Sequence, residues 1–195
     1  MKKSTKIWIV VGVIILILIL WFVGIYNGLI RLDNTVDEKW AQVENQYQRR
    51  ADLIPNLIET VTGARDFEAE TQTEIARLRT QAVELKQVAD AGLTPAQAAE
   101  LEVQLSSVKK SFLDITVERY PDLKATENFL ALQSQLEGTE NRVATERMRY
   151  NEIVREFNIR IKKIPHRVVA SMMNLEEKEY FEIEEGIAEV PEVEF

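Results

Sequence analysis

His166 is the only histidine among 195 residues, and there is no cysteine. Together these two facts remove most reaction chemistry. Without cysteine there is no disulfide, no thiolate metal ligand and no thiol nucleophile. A di-metal site in a helical bundle takes a Glu-x-x-His pair from each of two helices. The residue three before His166 is Lys163, so not one such pair exists. A serine triad lacks both a suitably placed histidine and a nucleophile elbow. No glycine-rich phosphate loop is present. The 32 acidic residues leave carboxylate acid–base chemistry open by residue type alone. On charged helix faces, however, a carboxylate is ordinarily a solvated surface group. No catalytic residue, cofactor or metal ligand is assigned.

The residues with interaction chemistry fall in two stretches. Arg49-Arg50-Ala51-Asp52-Leu53-Ile54-Pro55-Asn56-Leu57 joins charges to an apolar stripe interrupted by a proline. Glu137-Gly138-Thr139-Glu140-Asn141-Arg142 is a polar gap in an otherwise striped segment. Two readings of the gap stand side by side: a solvated bulge near a bundle end, or a buried polar contact with Arg49 or Arg50. A paired Arg–Glu contact would fix helix register more than it adds stability. The interaction candidates are Arg49, Arg50, Asp52, Leu53, Pro55, Leu57, Glu137 and Glu140.

Helices must position these groups. Leu29, Leu32, Val36, Trp40, Val43, Tyr47, Ala51, Ile54, Ile58 and Val61 recur at a 3–4 alternation, and Ile75, Leu78, Ala82 and Leu85 continue in a similar mode. Such a stripe is the seam of a coiled coil or antiparallel bundle. Gly92 suits a left-handed helix end. Thr94, Pro95 and Gln97 then make a capping box with proline at the first helical position. A second helix carries Leu101, Leu105, Val108, Phe112 and Ile115, and stops near Tyr120-Pro121. A third carries Phe129, Leu132, Leu136, Val143, Tyr150, Val154, Phe157 and Ile161, and Pro165 closes it. Val168 to Met173 is expected to pack back as a last turn or two. Pro55 either starts a new helix capped by Asp52, or sits inside one long bent helix at a cost of about 3 kcal/mol. The apolar phase does not shift across it, which favours the single helix, and Gly63 adds local softness.

Ile7 to Tyr26 reads IWIVVGVIILILILWFVGIY and carries no charge. As a helix, about twenty residues span roughly 30 Å, the hydrocarbon thickness of a bilayer. Ile7, Trp8, Leu16, Leu20, Trp21, Phe22 and Tyr26 mark this anchor, with aromatic rings towards its two ends. A cleaved signal peptide would have a shorter core and a small-x-small cleavage site. Lys2, Lys3 and Lys6 precede the span, and only Arg31 and Lys39 follow it closely. That asymmetry favours a cytoplasmic N-terminus with the body outside.

The fold class is therefore all-α: a transmembrane helix (residues 1–27 with its tail), then an elongated antiparallel bundle of three long helices plus a short C-terminal helix (28–175). An acidic tail follows (176–195), expected to be a flexible, solubilising end, although the alternation at Tyr180-Phe181 suits docking on another copy. Glu176 to Phe195 holds nine Glu and one Lys, a net −8 that equals the charge of the whole chain. The body is thus balanced and lacks the basic surplus that nucleic-acid binding needs.

The chain resembles the LemA family. The resemblance rests on Tyr26-Asn27-Gly28-Leu29, then Val36, Trp40 and Val43, then Arg49 to Leu57. In the third helix it rests on Tyr120-Pro121-Asp122-Leu123, Phe129, Leu132, Leu136, Glu140, Arg147, Tyr150-Asn151, Phe157-Asn158 and Pro165, with Phe181-Glu182 near the end. It runs from the anchor to about residue 182, with no counterpart after about 184. It implies a bacterial single-pass membrane protein with an elongated antiparallel helical body and no established catalytic activity. A related branch belongs to magnetosome membrane formation, an analogy that transfers no mechanism.

The expected function is a membrane-anchored scaffold that organises or shapes the bacterial membrane and associates as a homo-oligomer through leftover apolar stripe around Leu53 to Val61. One alternative is an adaptor that binds another membrane protein through the arginines or the acidic tail. A carboxylate-based enzyme is the remaining one. The expected partners are membrane lipid, further copies and another membrane protein.

Overall fold

The computed structural model describes residues 3–64, 67–120 and 126–182, and among them there are five helices and no strand. They are α1 (Lys3–Ala64), α2 (Ala69–Asp90), α3 (Pro95–Arg119), α4 (Glu127–Lys162) and α5 (His166–Met172). The chain is all-α, with a long apolar N-terminal helix and a helical bundle after it.

α1 is one helix through Pro55. The proline withholds the hydrogen bond that the Ala51 carbonyl would accept, a loss of about 3 kcal/mol. Ile54, Leu57 and Ile58 are all buried around it. Burying such side chains contributes about 1.5–3 kcal/mol each, enough to offset the proline. The stripe from Leu29 to Val61 is buried at each apolar position except Trp40, which is half-buried.

The sequence pattern carried the first rod on to Asp90, but the structure interrupts it. α1 ends at Ala64, Phe67 and Glu68 are not helical, and α2 starts at Ala69 without a side-chain cap. Between Val61 and Ile75 the stripe has no large apolar residue in phase, and Gly63 weakens the helix there. α2 instead folds back on α1. Glu59 pairs with Arg79 at 3.4 Å and Asp52 with Lys86 at 2.5 Å. Gln48 donates to the Ala89 carbonyl at 3.4 Å, and Glu44 accepts the Leu93 N–H at 2.7 Å. One partner steps back along α1 as the other steps forward along α2, which is an antiparallel register.

The turn into α3 follows its sequence signature. Gly92 adopts φ +88°. Thr94 Oγ1 accepts the Gln97 N–H at 3.3 Å, and Gln97 Oε1 accepts the Thr94 N–H at 2.9 Å. Thr94→Ala removes one half of this box. It is expected to cost about 1 kcal/mol, read as a lower melting temperature by circular dichroism.

α4 is continuous across the polar gap, so Glu137 to Arg142 is helix rather than a bulge. α5 ends in a Schellman turn. Asn174 takes φ +52°, its N–H bonds the Ser171 carbonyl at 3.3 Å, and the Leu175 N–H bonds the Ala170 carbonyl at 3.0 Å. Asparagine tolerates that left-handed position.

Contacts divide the chain into two compact units. The first takes the described residues up to Trp40 together with Arg149–Glu179; the second takes the described residues within 41–148 together with 180–182. In the first unit, the segment after α5 is held along α4. Asn158 exchanges two 2.9 Å hydrogen bonds with the backbone of Lys178, Tyr150 donates to the Glu179 carbonyl at 2.9 Å, and Lys162 pairs with Glu177 at 2.7 Å. Lys178 reaches Asp33 at 2.9 Å and Asp37 at 3.6 Å. In the second unit, Phe181 is buried, stacks on Tyr47 at 6.3 Å and lies 4.1 Å beneath the Arg147 guanidinium.

These contacts correct the expectation of a free acidic end beginning at Glu176. From Glu177 to Phe181 that stretch is fastened to the body, and Phe181 docks within its own chain. The rest of the expected tail, 183–195, lies outside the described residues.

Candidate functional site

The second unit is organised around a buried arginine. Arg50 lies on α1 between the buried Tyr47 and Ile54, and it is 2% exposed. A guanidinium so placed turns to protein acceptors for its donors, and of its nitrogens Nε finds none. Nη1 donates to Glu102 Oε1 at 2.6 Å, and Nη2 donates to Ser106 Oγ at 3.0 Å and to Glu140 Oε1 at 3.2 Å. Glu140 also pairs with Lys109. Two cations and two carboxylates thus meet where α1, α3 and α4 converge, so the formal charge cancels. Each carboxylate is engaged by a cation.

The other expected interaction residues separate around this node. Arg49 is exposed, while Leu53 and Leu57 are buried. Asp52 faces α2 and pairs with Lys86. Pro55 is half-buried inside α1. Glu137 stays at the surface, accepting from Gln133 at 3.1 Å. Of the polar gap, Glu140 is the residue that reaches Arg50.

The sequence reading left out the α3 side of the node, although a signal was present. Glu102, Ser106 and Lys109 are spaced by four and three, so they share one face of α3 beside Leu101, Leu105 and Val108. Asn158, named there only within the family resemblance, is a buried polar residue on the apolar face of Val154, Phe157 and Ile161.

The apolar stripe from Leu53 to Val61 was expected to leave surface for a second copy. Leu53, Ile54, Leu57, Ile58 and Val61 are all buried within the chain, so this stripe gives no reason for self-association. The anchor residues behave oppositely. Ile7, Trp8, Leu16, Leu20, Trp21, Phe22 and Tyr26 are all exposed, in a helix whose most apolar 18 residues have mean hydropathy 3.1.

Along α4 in the first unit runs a groove lined by Lys39, Arg149, Arg155, Arg160, Lys163 and His166, with Glu152 and Glu156 among them. Arg160 pairs with Glu156 at 2.9 Å. Cations outnumber carboxylates among the lining residues. Among the described residues, no three His, Cys, Asp or Glu side chains gather as a metal site would need.

Two tyrosines report on burial. Burial pushes the Tyr150 hydroxyl up to about 12, helped by the charges of Glu179 and Asp37. Burial, then Glu102, raises Tyr47 further still. Burial alone would lower Lys178, but its hydrogen bond with Asp33, then the Asp33 and Asp37 charges, leave it above the ordinary lysine value. Folding therefore favours the neutral phenol. The stability so gained is whole below pH 10.0, the ordinary tyrosine value, and is lost as pH climbs towards about 12. The melting temperature is expected to hold to about pH 10 and fall above it. Tyr150→Phe should make that fall shallower.

The LemA family model matches residues 39–195. The match continues past residue 182, where the resemblance carried by individual motifs ended. Protein LemA of Metamycoplasma hominis is 25% identical over 154 residues, covering 79% of this chain and 67% of its own. Magnetosome proteins MamQ 2 and MamQ 1 of Paramagnetospirillum magneticum are each 24% identical over 179 residues, covering 80% of this chain. This chain spans 64% of the length of those two relatives.

Proposed function

This chain belongs to the LemA family, and on that premise we propose that it is a membrane-anchored, non-catalytic scaffold that organises the bacterial membrane. The observation that carries this reading is the continuity of α1. The same helix that exposes its apolar length from Ile7 to Val23 supplies Ile25, Leu29, Leu32 and Val36 to the buried core of the first unit. No hinge separates the anchor from that core, so the unit is held at a set height beside the bilayer. Kinship with two magnetosome proteins supports a task at membranes.

The chain crosses the membrane once. Lys2, Lys3 and Lys6 ahead of the span favour a cytoplasmic N-terminus and an external body. A second reading, an adaptor for another membrane protein, is favoured by the cationic groove along α4. That groove suits an acidic partner surface.

Cryo-electron microscopy of the full chain in liposomes tests the proposal. The expected image has helical density standing on the bilayer and a changed vesicle outline at high protein density. Vesicles of unchanged outline with protein free in solution would overturn it. Recovery of one acidic membrane protein, lost when Arg155 and Lys163 are changed to Glu, would move the assignment to the adaptor.

A further inference from the structure

α5 and the turn before it carry apolar residues that the chain leaves uncovered. Val168 is 60% exposed and Met172 68%, and Ile164, one turn before Val168, is 82% exposed. Within α5 the spacing of four puts Val168 and Met172 on one side, and Ile164 stands exposed in the turn just before the helix. On the other side Val169 and Ala170 are buried. Lys163 and Arg167 are exposed beside these apolar residues.

The register of the first unit places these residues. Trp40 of α1 meets Tyr150 of α4 edge-on, with ring centroids 5.0 Å apart. Lys178 is bonded to Asn158, further along α4, and pairs with Asp33 and Asp37, further back along α1. The two helices are therefore antiparallel here. Twelve residues back from Trp40 is Gly28, and twelve forward from Tyr150 is Lys162, the last residue of α4. α4 thus ends level with Gly28, about 3 Å past Tyr26, the last exposed large apolar residue of α1. Burial on α1 begins at the same height, with Ile25 and Leu29. Ile164 and α5 come directly after that level.

We propose that Ile164, Val168 and Met172 are a second membrane contact, a foot set into the headgroup region of the bilayer that α1 crosses. Lys163 and Arg167 lie against anionic headgroups of the same leaflet. The occupant is lipid because the foot adjoins the anchor, and because apolar residues flanked by cations match the order of an anionic interface. The foot would stop the unit from tilting about its single span. This inference rests on α1 spanning the membrane, and its test reads the two claims separately.

The chain has no cysteine, so single cysteines can be introduced at Ile164, Val168, Met172, Leu16 and Glu152 and labelled with an environment-sensitive fluorophore. The full chain is reconstituted in phosphatidylcholine liposomes with and without phosphatidylglycerol, carrying nitroxide lipids at headgroup or mid-chain depth. Leu16 should be quenched from mid-chain depth. The three foot positions should be quenched from headgroup depth, more strongly with phosphatidylglycerol present, and Glu152 from neither. Lys163→Glu with Arg167→Glu should abolish the phosphatidylglycerol-dependent increase. Foot labels unquenched while Leu16 is quenched would overturn the foot and leave the anchor standing. Shielding of the foot that grows with protein density and ignores the nitroxides would assign it to a second copy and overturn it too. An unquenched Leu16 would remove the anchor and the foot together.

Discussion

Arg50→Met is expected to destabilise the protein by about 3 kcal/mol, the low end of the cost of breaking a buried ion pair. The arginine is 2% exposed and donates to three side chains at once. Its removal strips Glu102 of its cation, while Glu140 keeps Lys109. Both carboxylates retain some access to water, at 20% and 31% exposure, which holds the loss to the low end. For a chain of this size that corresponds to a melting point lower by about 6–12 °C, measurable by circular dichroism in detergent. Arg50→Lys should lose part of this, because an ammonium cannot span three acceptors in a fixed fork. Changing Glu102 and Glu140 to Leu and Lys109 to Met alongside Arg50→Met should recover most of it, since no charge of the cluster is then left without its partner. A loss under about 1 kcal/mol for Arg50→Met would match a surface ion pair instead.

Phe181→Ala should cost about 3 kcal/mol, as truncating a buried phenylalanine does. The ring is buried between Tyr47 and the Arg147 guanidinium. Its loss leaves a cavity against Tyr47 and removes a cation–π contact. Phe181→Leu should lose less, because it keeps apolar volume and gives up only the ring. Denaturant unfolding compares the two variants. If both match the parent, Phe181 is not packed as described, and the chain beyond Leu175 is the loose end that its charge suggests.

These two sites show where sequence patterning stops being informative. The anchor, the Thr94 capping box and the end of α3 at Tyr120 are written in residues a few positions apart, where local physics decides. The passage of α1 through Pro55 was legible for the same reason, since the stripe keeps its phase across it. The break between Ala64 and Ala69 was not, because it depends on α2 finding partners in Glu59, Asp52 and Gln48. Glu102 and Glu140 are 38 residues apart and meet only through Arg50. No local rule separates them from other acidic residues on helix faces. Phe181 was masked by composition. Nine glutamates around two phenylalanines and one tyrosine read as a solvated tail, yet one buried ring and three backbone contacts fasten it.

The central claim is that one helix leaves the bilayer and enters the body without a break, and spin labelling reads it position by position. With no native cysteine, nitroxides can be placed singly from Ile7 to Trp40 in the liposome-reconstituted chain. Accessibility to oxygen and to a water-soluble nickel chelate is then compared at each site. The account predicts lipid-like values at every position from Ile7 to about Phe22. From Ile25 onwards a 3.6-residue oscillation should follow, with minima at Ile25, Leu29, Leu32 and Val36. Water-accessible values at Leu16, or a loss of the oscillation's phase between Tyr26 and Leu32, would contradict it.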